Sequence, residues 1–115
     1  MNELKNRLEV AYAQLKKVQV NHYLAEKTTK EAGAHLNKLK LEGIASGEVQ
    51  GKNATEREAS AREKYAIAYQ YFEDAEDKAA GERLRLDLAR LNVELCRALI
   101  RLEEINIGRL PNDGH

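Results

Sequence analysis

Apolar and small residues recur along the first part of the chain at alternating steps of four and three: Leu4, Leu8, Ala11, Leu15, Val18, His22, Ala25, Thr29, Ala32, Leu36, Leu39 and Gly43. A period near 3.5 is that of a helix packed along its length against another helix. A strand would need a period of two, and no turn signal interrupts the run. A helix of about 40 residues, roughly 60 Å long at ~1.5 Å per residue, cannot cover its own apolar stripe, so another part of the chain has to.

The same steps return later, at Ala61, Tyr65, Ala68, Phe72, Ala75, Ala79, Glu82, Leu86, Ala89, Val93, Cys96 and Ile100. Between the two patterns lies Ser46-Gly47-Glu48-Val49-Gln50-Gly51-Lys52, the one convincing interior loop. Gly47 suits a left-handed residue after a helix end. Asn53 with Glu56 three residues on forms a capping box for the next helix, and Ile44 and Val49 are placed to pack across the turn. Loops of this size join antiparallel neighbours. The expected fold is all-α: a long antiparallel helical hairpin of coiled-coil type, with a helix over about 3–45, a turn over about 46–52 and a helix over about 54–107. Residues 1–109 are expected to form one hairpin domain and 110–115 a disordered tail.

Two features suggest that one hairpin is not enough. Val10, Val20, Tyr23, Leu24 and Leu41 lie off the first stripe and predict a wider buried face. Past Gly81, Leu84, Leu88, Leu91, Leu95, Ala98, Leu102 and Ile105 make a second seam beside the first. Folding at the middle of the loop sets residue i opposite roughly 98 − i, so Leu4 meets about residue 94 and residues 95–107 overhang. A second copy is the simplest cover, giving a dimer with a four-helix arrangement. The alternative is a break at Gly81 that makes a third helix, but Ala79-Ala80-Gly81-Glu82-Arg83 contains no Pro, and one interior Gly costs only about 1 kcal/mol.

Composition fits long helices: 33% of residues are charged, with one Pro, one Phe and no Trp. The zero net charge conceals a skew, since residues 1–53 hold 9 Lys/Arg against 6 Asp/Glu and residues 54–115 hold 10 against 13. Arms of opposite sign lie side by side without repulsion, although exposed ion pairs contribute only tenths of a kcal/mol each. The lone cysteine, Cys96, falls on the seam and reads as a small buried hydrophobe in a reducing compartment. No apolar run reaches the ~18 residues of a membrane span, and Met1-Asn2-Glu3-Leu4-Lys5 lacks a signal peptide's hydrophobic segment. The expected location is the cytoplasm, or the cytoplasm of an infected host.

Candidate chemistry is thin. Glu73-Asp74-Ala75-Glu76-Asp77 is the densest acidic cluster, but Phe72 and Ala75 take its inward positions, and a di-metal bundle site needs Glu-x-x-His pairs that are absent. His22 with Glu26, and Glu31 with His35, are one turn apart. A single seam histidine reads as a core or register residue, and a narrow bundle offers little of the concavity that acid–base catalysis requires. Gly47 to Asn53 looks like a phosphate loop, but Asn53 stands where a Ser or Thr would hold magnesium, and no strand precedes it. Arg83, Arg85, Arg90, Arg97 and Arg101 form the best basic patch, with Lys16 and Lys17 expected nearby, interleaved with Glu82, Asp87 and Glu94. Tyr12, Tyr23, Tyr65, Tyr69 and Tyr71 suit either hairpin packing or a partner.

Ile44-Ala-Ser-Gly-Glu-Val-Gln-Gly-Lys-Asn53-Ala-Thr-Glu56-Arg57 resembles the turn of small, uncharacterised helical coiled-coil proteins of phages and prophages, which share a long helix, a Gly-Lys-Asn turn and a Glu/Arg-rich second helix. The resemblance implies an accessory or structural protein and supplies no catalytic residues.

The expected function is therefore self-association in a structural or protein–protein interaction role, with no catalytic activity, cofactor or metal and no membrane partner. The expected partner is a second copy, as a homodimer or higher homo-oligomer, with a further protein partner left open. Leu84, Leu88, Leu91, Leu95, Leu99 and Leu102 are the expected interface, and Gly47, Gly51, Asn53 and Glu56 the turn and cap. The alternative is a nucleic-acid-associated accessory protein that uses Arg83, Arg90, Arg97 and Arg101; such binders concentrate uncompensated positive charge on one face.

Overall fold

The computed structural model describes residues 2–108, which form three helices and no strand: α1 (Asn2–Ser46), α2 (Ala54–Lys64) and α3 (Ala66–Gly108). Arg109 and the expected disordered tail at 110–115 lie outside the described residues. The fold is an all-α helical hairpin in which α1 packs against α3. Its described residues comprise two compact units: a terminal unit, residues 2–22 and 82–108, and a turn unit, Tyr23–Gly81.

Every seam position of the first pattern, Leu4 to Gly43, is buried or half-buried, and so is every one of the second, Ala61 to Ile100. In the terminal unit Ala11 packs with Val93 and Cys96, and Val18 with Leu86 and Ala89; Leu15 bridges the two groups. Small residues on both helices let them approach closely, so burial comes from a long thin contact rather than a thick core. Cys96 is buried in this contact.

In the turn unit the core is Leu36, Val49, Ala61 and Tyr69, flanked by Tyr65, Ala68 and Phe72. Phe72 lies over Gly33, where an added Cβ would come within 3.0 Å of its ring. The Thr29 hydroxyl is 3.0 Å from both the Ala25 carbonyl on its own helix and the Ala75 carbonyl on α3, so its single proton serves a polar seam position. Such a group is costly to bury unless it finds an acceptor.

The off-seam set expected to widen the buried face does not do so: Val10, Val20, Tyr23, Leu24 and Leu41 are all exposed. The offset also differs from a fold at the loop's middle. Thr29 meets Ala75, Gly33 meets Phe72 and Ala11 meets Val93, each about one heptad later than that fold would place it. The reason lies at the turn. Tyr65 packs on Gly43, and Val49 N–H returns to Gly43 O (2.9 Å), so the reversal takes in the whole of α2 as well as the loop.

The second helix is not continuous. At Tyr65 the backbone turns to φ −110°, ψ 36°, away from the helical ψ near −42°, and separates α2 from α3. The Tyr65 amide still donates to Ala61 O (2.8 Å) and its carbonyl accepts from the Tyr69 amide (3.0 Å), so the hydrogen-bond run is kept through a local bend. Neither Gly nor Pro is present there. The bend falls where the Tyr65 side chain seats against Gly43 and Val49, a tertiary contact that overrides local propensity. Gly81, the expected alternative break, lies inside α3.

Candidate functional site

In the terminal unit α3 carries two apolar faces. Residues 82, 86, 89, 93, 96 and 100 turn toward α1 and are buried or half-buried. At ~100° per residue the line through Leu84, Leu88, Leu91, Leu95, Ala98, Leu102 and Ile105 is centred about 160° away, on the opposite side of the helix. Its large side chains are 42–60% exposed. Leu99, grouped with them in the sequence, lies one step off this line and is half-buried. Ile107, also exposed, follows at the end of the helix.

The surplus apolar surface is therefore not an overhang left by a short first arm. It is a second face on the same segment of helix that α1 already covers from the other side. The stripe begins three residues after Gly81. Upstream, the same columns hold Gly81, Asp77, Asp74 and Gln70 before an exposed Ile67, so the continuous apolar line lies in the terminal unit.

Arg83, Arg90 and Arg97 are exposed and repeat every seven residues, whereas Arg101 stands in a different column. Asp87 lies 3.8 Å from both Arg83 and Arg90 and offsets their charge. Arg85 donates to Glu82 Oε1 (2.7 Å). Glu82 is the one buried charged residue among those described, and its Oε2 makes no hydrogen bond. Lys16 and Lys17 are exposed on α1.

The turn is held by backbone and side-chain bonds in sequence. Gly47 (φ 82°) returns its N–H to Ile44 O, and Gly51 (φ 153°) passes where a Cβ would meet Arg57 N at 2.6 Å. Asn53 Oδ1 accepts from Glu56 N (2.9 Å), while the Glu56 carboxylate reaches past Asn53 to accept from Lys52 N (2.6 Å). Ser60 Oγ accepts from Gln50 N. Ile44 remains exposed and Val49 is buried. These groups satisfy one another, which fits a structural turn.

A polar cluster in the turn unit had no sequence signal beyond scattered charges. Glu58 Oε2 lies 2.7 Å from Lys40 Nζ, Glu58 Oε1 accepts from the Tyr69 hydroxyl (2.8 Å), and Arg62 stacks 4.7 Å from the Tyr69 ring centroid. Hydrogen bonds from Lys40 and then Tyr69 hold the Glu58 carboxyl below its usual range; the same Glu58 contact raises Lys40, and burial raises Tyr69. Beside the bend, Leu39, Tyr65, Ile67 and Tyr71 line an open apolar hollow of about 680 Å³. Ile67 and Tyr71 lie off the seam, so the heptad pattern could not find this hollow.

The acidic cluster Glu73, Asp74, Glu76 and Asp77 is exposed, and among the described residues no group of three His, Cys, Asp or Glu side chains could hold a metal. No helix among them is long and apolar enough to cross a membrane. No family model, curated protein or solved structure matches the chain.

Proposed function

We propose that this protein is a self-associating helical protein with a structural or protein–protein interaction role, carrying out no reaction of its own. Two copies join through the leucine stripe of α3 to form a homodimer. The observation that carries the reading is the row of Leu84, Leu88, Leu91, Leu95, Leu102 and Ile105, each 42–60% exposed on the α3 face turned away from α1. These side chains leave roughly 500 Å² of apolar surface in water per copy, at the upper end of what a monomer carries in one patch.

Because that face is opposite α1, the terminal units pair with the two α3 helices in the middle and the two α1 helices outside. This departs from a square four-helix bundle, in which each helix would use faces about a quarter turn apart. The buried Cys96 suits a reducing, cytoplasmic setting but takes no part in the association. A nucleic-acid role through Arg83, Arg90, Arg97 and Arg101 is less favoured, because Asp87 partners two of the four.

Light scattering on Leu91→Glu tests the reading. Leu91 is 59% exposed at the middle of the stripe, so a carboxylate there leaves a single copy folded but places a charge in the pair's centre. A halved mass with unchanged helicity is expected; an unchanged mass would remove the stripe from the interface.

A further inference from the structure

The columns beside the stripe bear on how two copies are oriented. On the helix surface Asp87, Glu94 and Arg101 form one flanking column, and Arg85, Asn92 and Leu99 the other, each about 80° from the stripe's centre. All but the half-buried Leu99 are exposed. The first column changes sign along its length: two acids come first and an arginine last.

Resting on the self-association proposed above, we infer that the two copies pair with their α3 helices antiparallel, so that Arg101 of each copy faces Asp87 of the other. In an antiparallel pair each flanking column meets its own counterpart running the opposite way. Arg101 then falls opposite Asp87, a pair that symmetry supplies twice, while Glu94 falls opposite its own counterpart at the two-fold axis, one repulsion set against two attractions. In a parallel pair the first column meets the second five residues on, which sets Asp87 against Asn92 and Glu94 against Leu99 and forms no ion pair. The apolar line accepts the antiparallel arrangement: Leu84 meets Leu102, Leu88 meets Ala98 and Leu91 meets Leu95, so apolar meets apolar at every layer. With its flanks, the stripe approaches the ~800 Å² per partner typical of a stable interface.

The occupant of the surface is thus a second copy of this chain in reversed orientation. Two full-length variants, Leu84→Cys and Leu102→Cys, carrying tags of different mass, are mixed, oxidised mildly and run on a non-reducing gel beside each variant alone. The expected product is the mixed 84–102 cross-link, with little 84–84 or 102–102 product from either variant alone. Like-to-like cross-links in a protein of dimeric mass would overturn the orientation and leave self-association standing, as would a dimer that gives no cross-link at these positions. A wild-type chain that stays at single-copy mass would overturn both and assign the stripe to a different protein.

A second arm leaves the stripe intact. Arg101→Glu places acid against acid and is expected to weaken the dimer about tenfold, two exposed pairs being lost and made repulsive. Adding Asp87→Lys to the same chain is expected to restore it. Failure of that rescue in a folded protein would overturn the antiparallel pairing.

Discussion

The Tyr69 hydroxyl donates a hydrogen bond to Glu58 Oε1 at 2.8 Å, while Lys40 holds the other oxygen of that carboxylate at 2.7 Å. One side chain of α2 is thereby tied to both α1 and α3 in the turn unit. The contact is partly exposed, so its Coulomb attraction is screened and it contributes on the order of 1 kcal/mol or less.

That cluster fixes the sign of a pH effect. The folded Glu58 carboxyl lies below its ordinary value of 4.5, so its stabilisation is present above about pH 4.5 and lost as pH falls through the folded value. The folded Lys40 and Tyr69 groups lie above their ordinary 10.5 and 10.0, so their contributions are present below about pH 10 and lost as pH rises through the folded values. Denaturant midpoints measured against pH are expected to fall less steeply on the acid side in Glu58→Gln than in the wild type. Equal acid slopes would mean that Glu58 does not carry the effect.

Two glycines are expected to respond in opposite directions to alanine. At Gly43 a Cβ would collide with the Tyr65 hydroxyl and lie 2.6 Å from Val49 Cγ2, so Gly43→Ala is expected to cost about 1–3 kcal/mol. At Gly81 a Cβ meets nothing within 4 Å in the interior of α3, so Gly81→Ala is expected to stabilise by about 0.5–1 kcal/mol. Thermal melts followed by circular dichroism read both changes. A lower midpoint for Gly81→Ala would show that the glycine serves a role beyond helix continuity.

Glu82 occupies a buried seam position between Ala79 and Leu86, with only one carboxylate oxygen hydrogen-bonded. Glu82→Leu removes the desolvation of a charge and is expected to raise stability by about 1–2 kcal/mol. A loss of stability in urea unfolding would show that the Arg85 contact outweighs that cost.

Much of this was legible in the sequence, and what was not has identifiable causes. The steps of four and three from Leu4 to Gly43 and from Ala61 to Ile100 mark the residues that become buried, because a seam between two helices requires that period. The same ruler separated Leu84 through Ile105 from the seam, yet could not say that they occupy the opposite side of α3 until the α1-facing residues were fixed. The pairing offset and the bend at Tyr65 were not legible, since both depend on the Tyr65 ring settling on Gly43, a contact between residues far apart in the chain. Likewise the separation of Lys40, Glu58 and Tyr69 in sequence hid the cluster they form.

Retardation of a labelled DNA or RNA duplex at low salt is expected to be absent. Strong phosphate binding needs several uncompensated cations, and Asp87 offsets two of the four candidate arginines. A salt-sensitive shift abolished by Arg90→Glu with Arg97→Glu would reverse this expectation.

The most direct test is the molar mass of the unmodified chain by sedimentation equilibrium across a wide concentration range. Twice the 13.0 kDa chain mass is predicted, dissociating only on dilution. A well-folded particle that stays at 13.0 kDa at the highest concentration would contradict it.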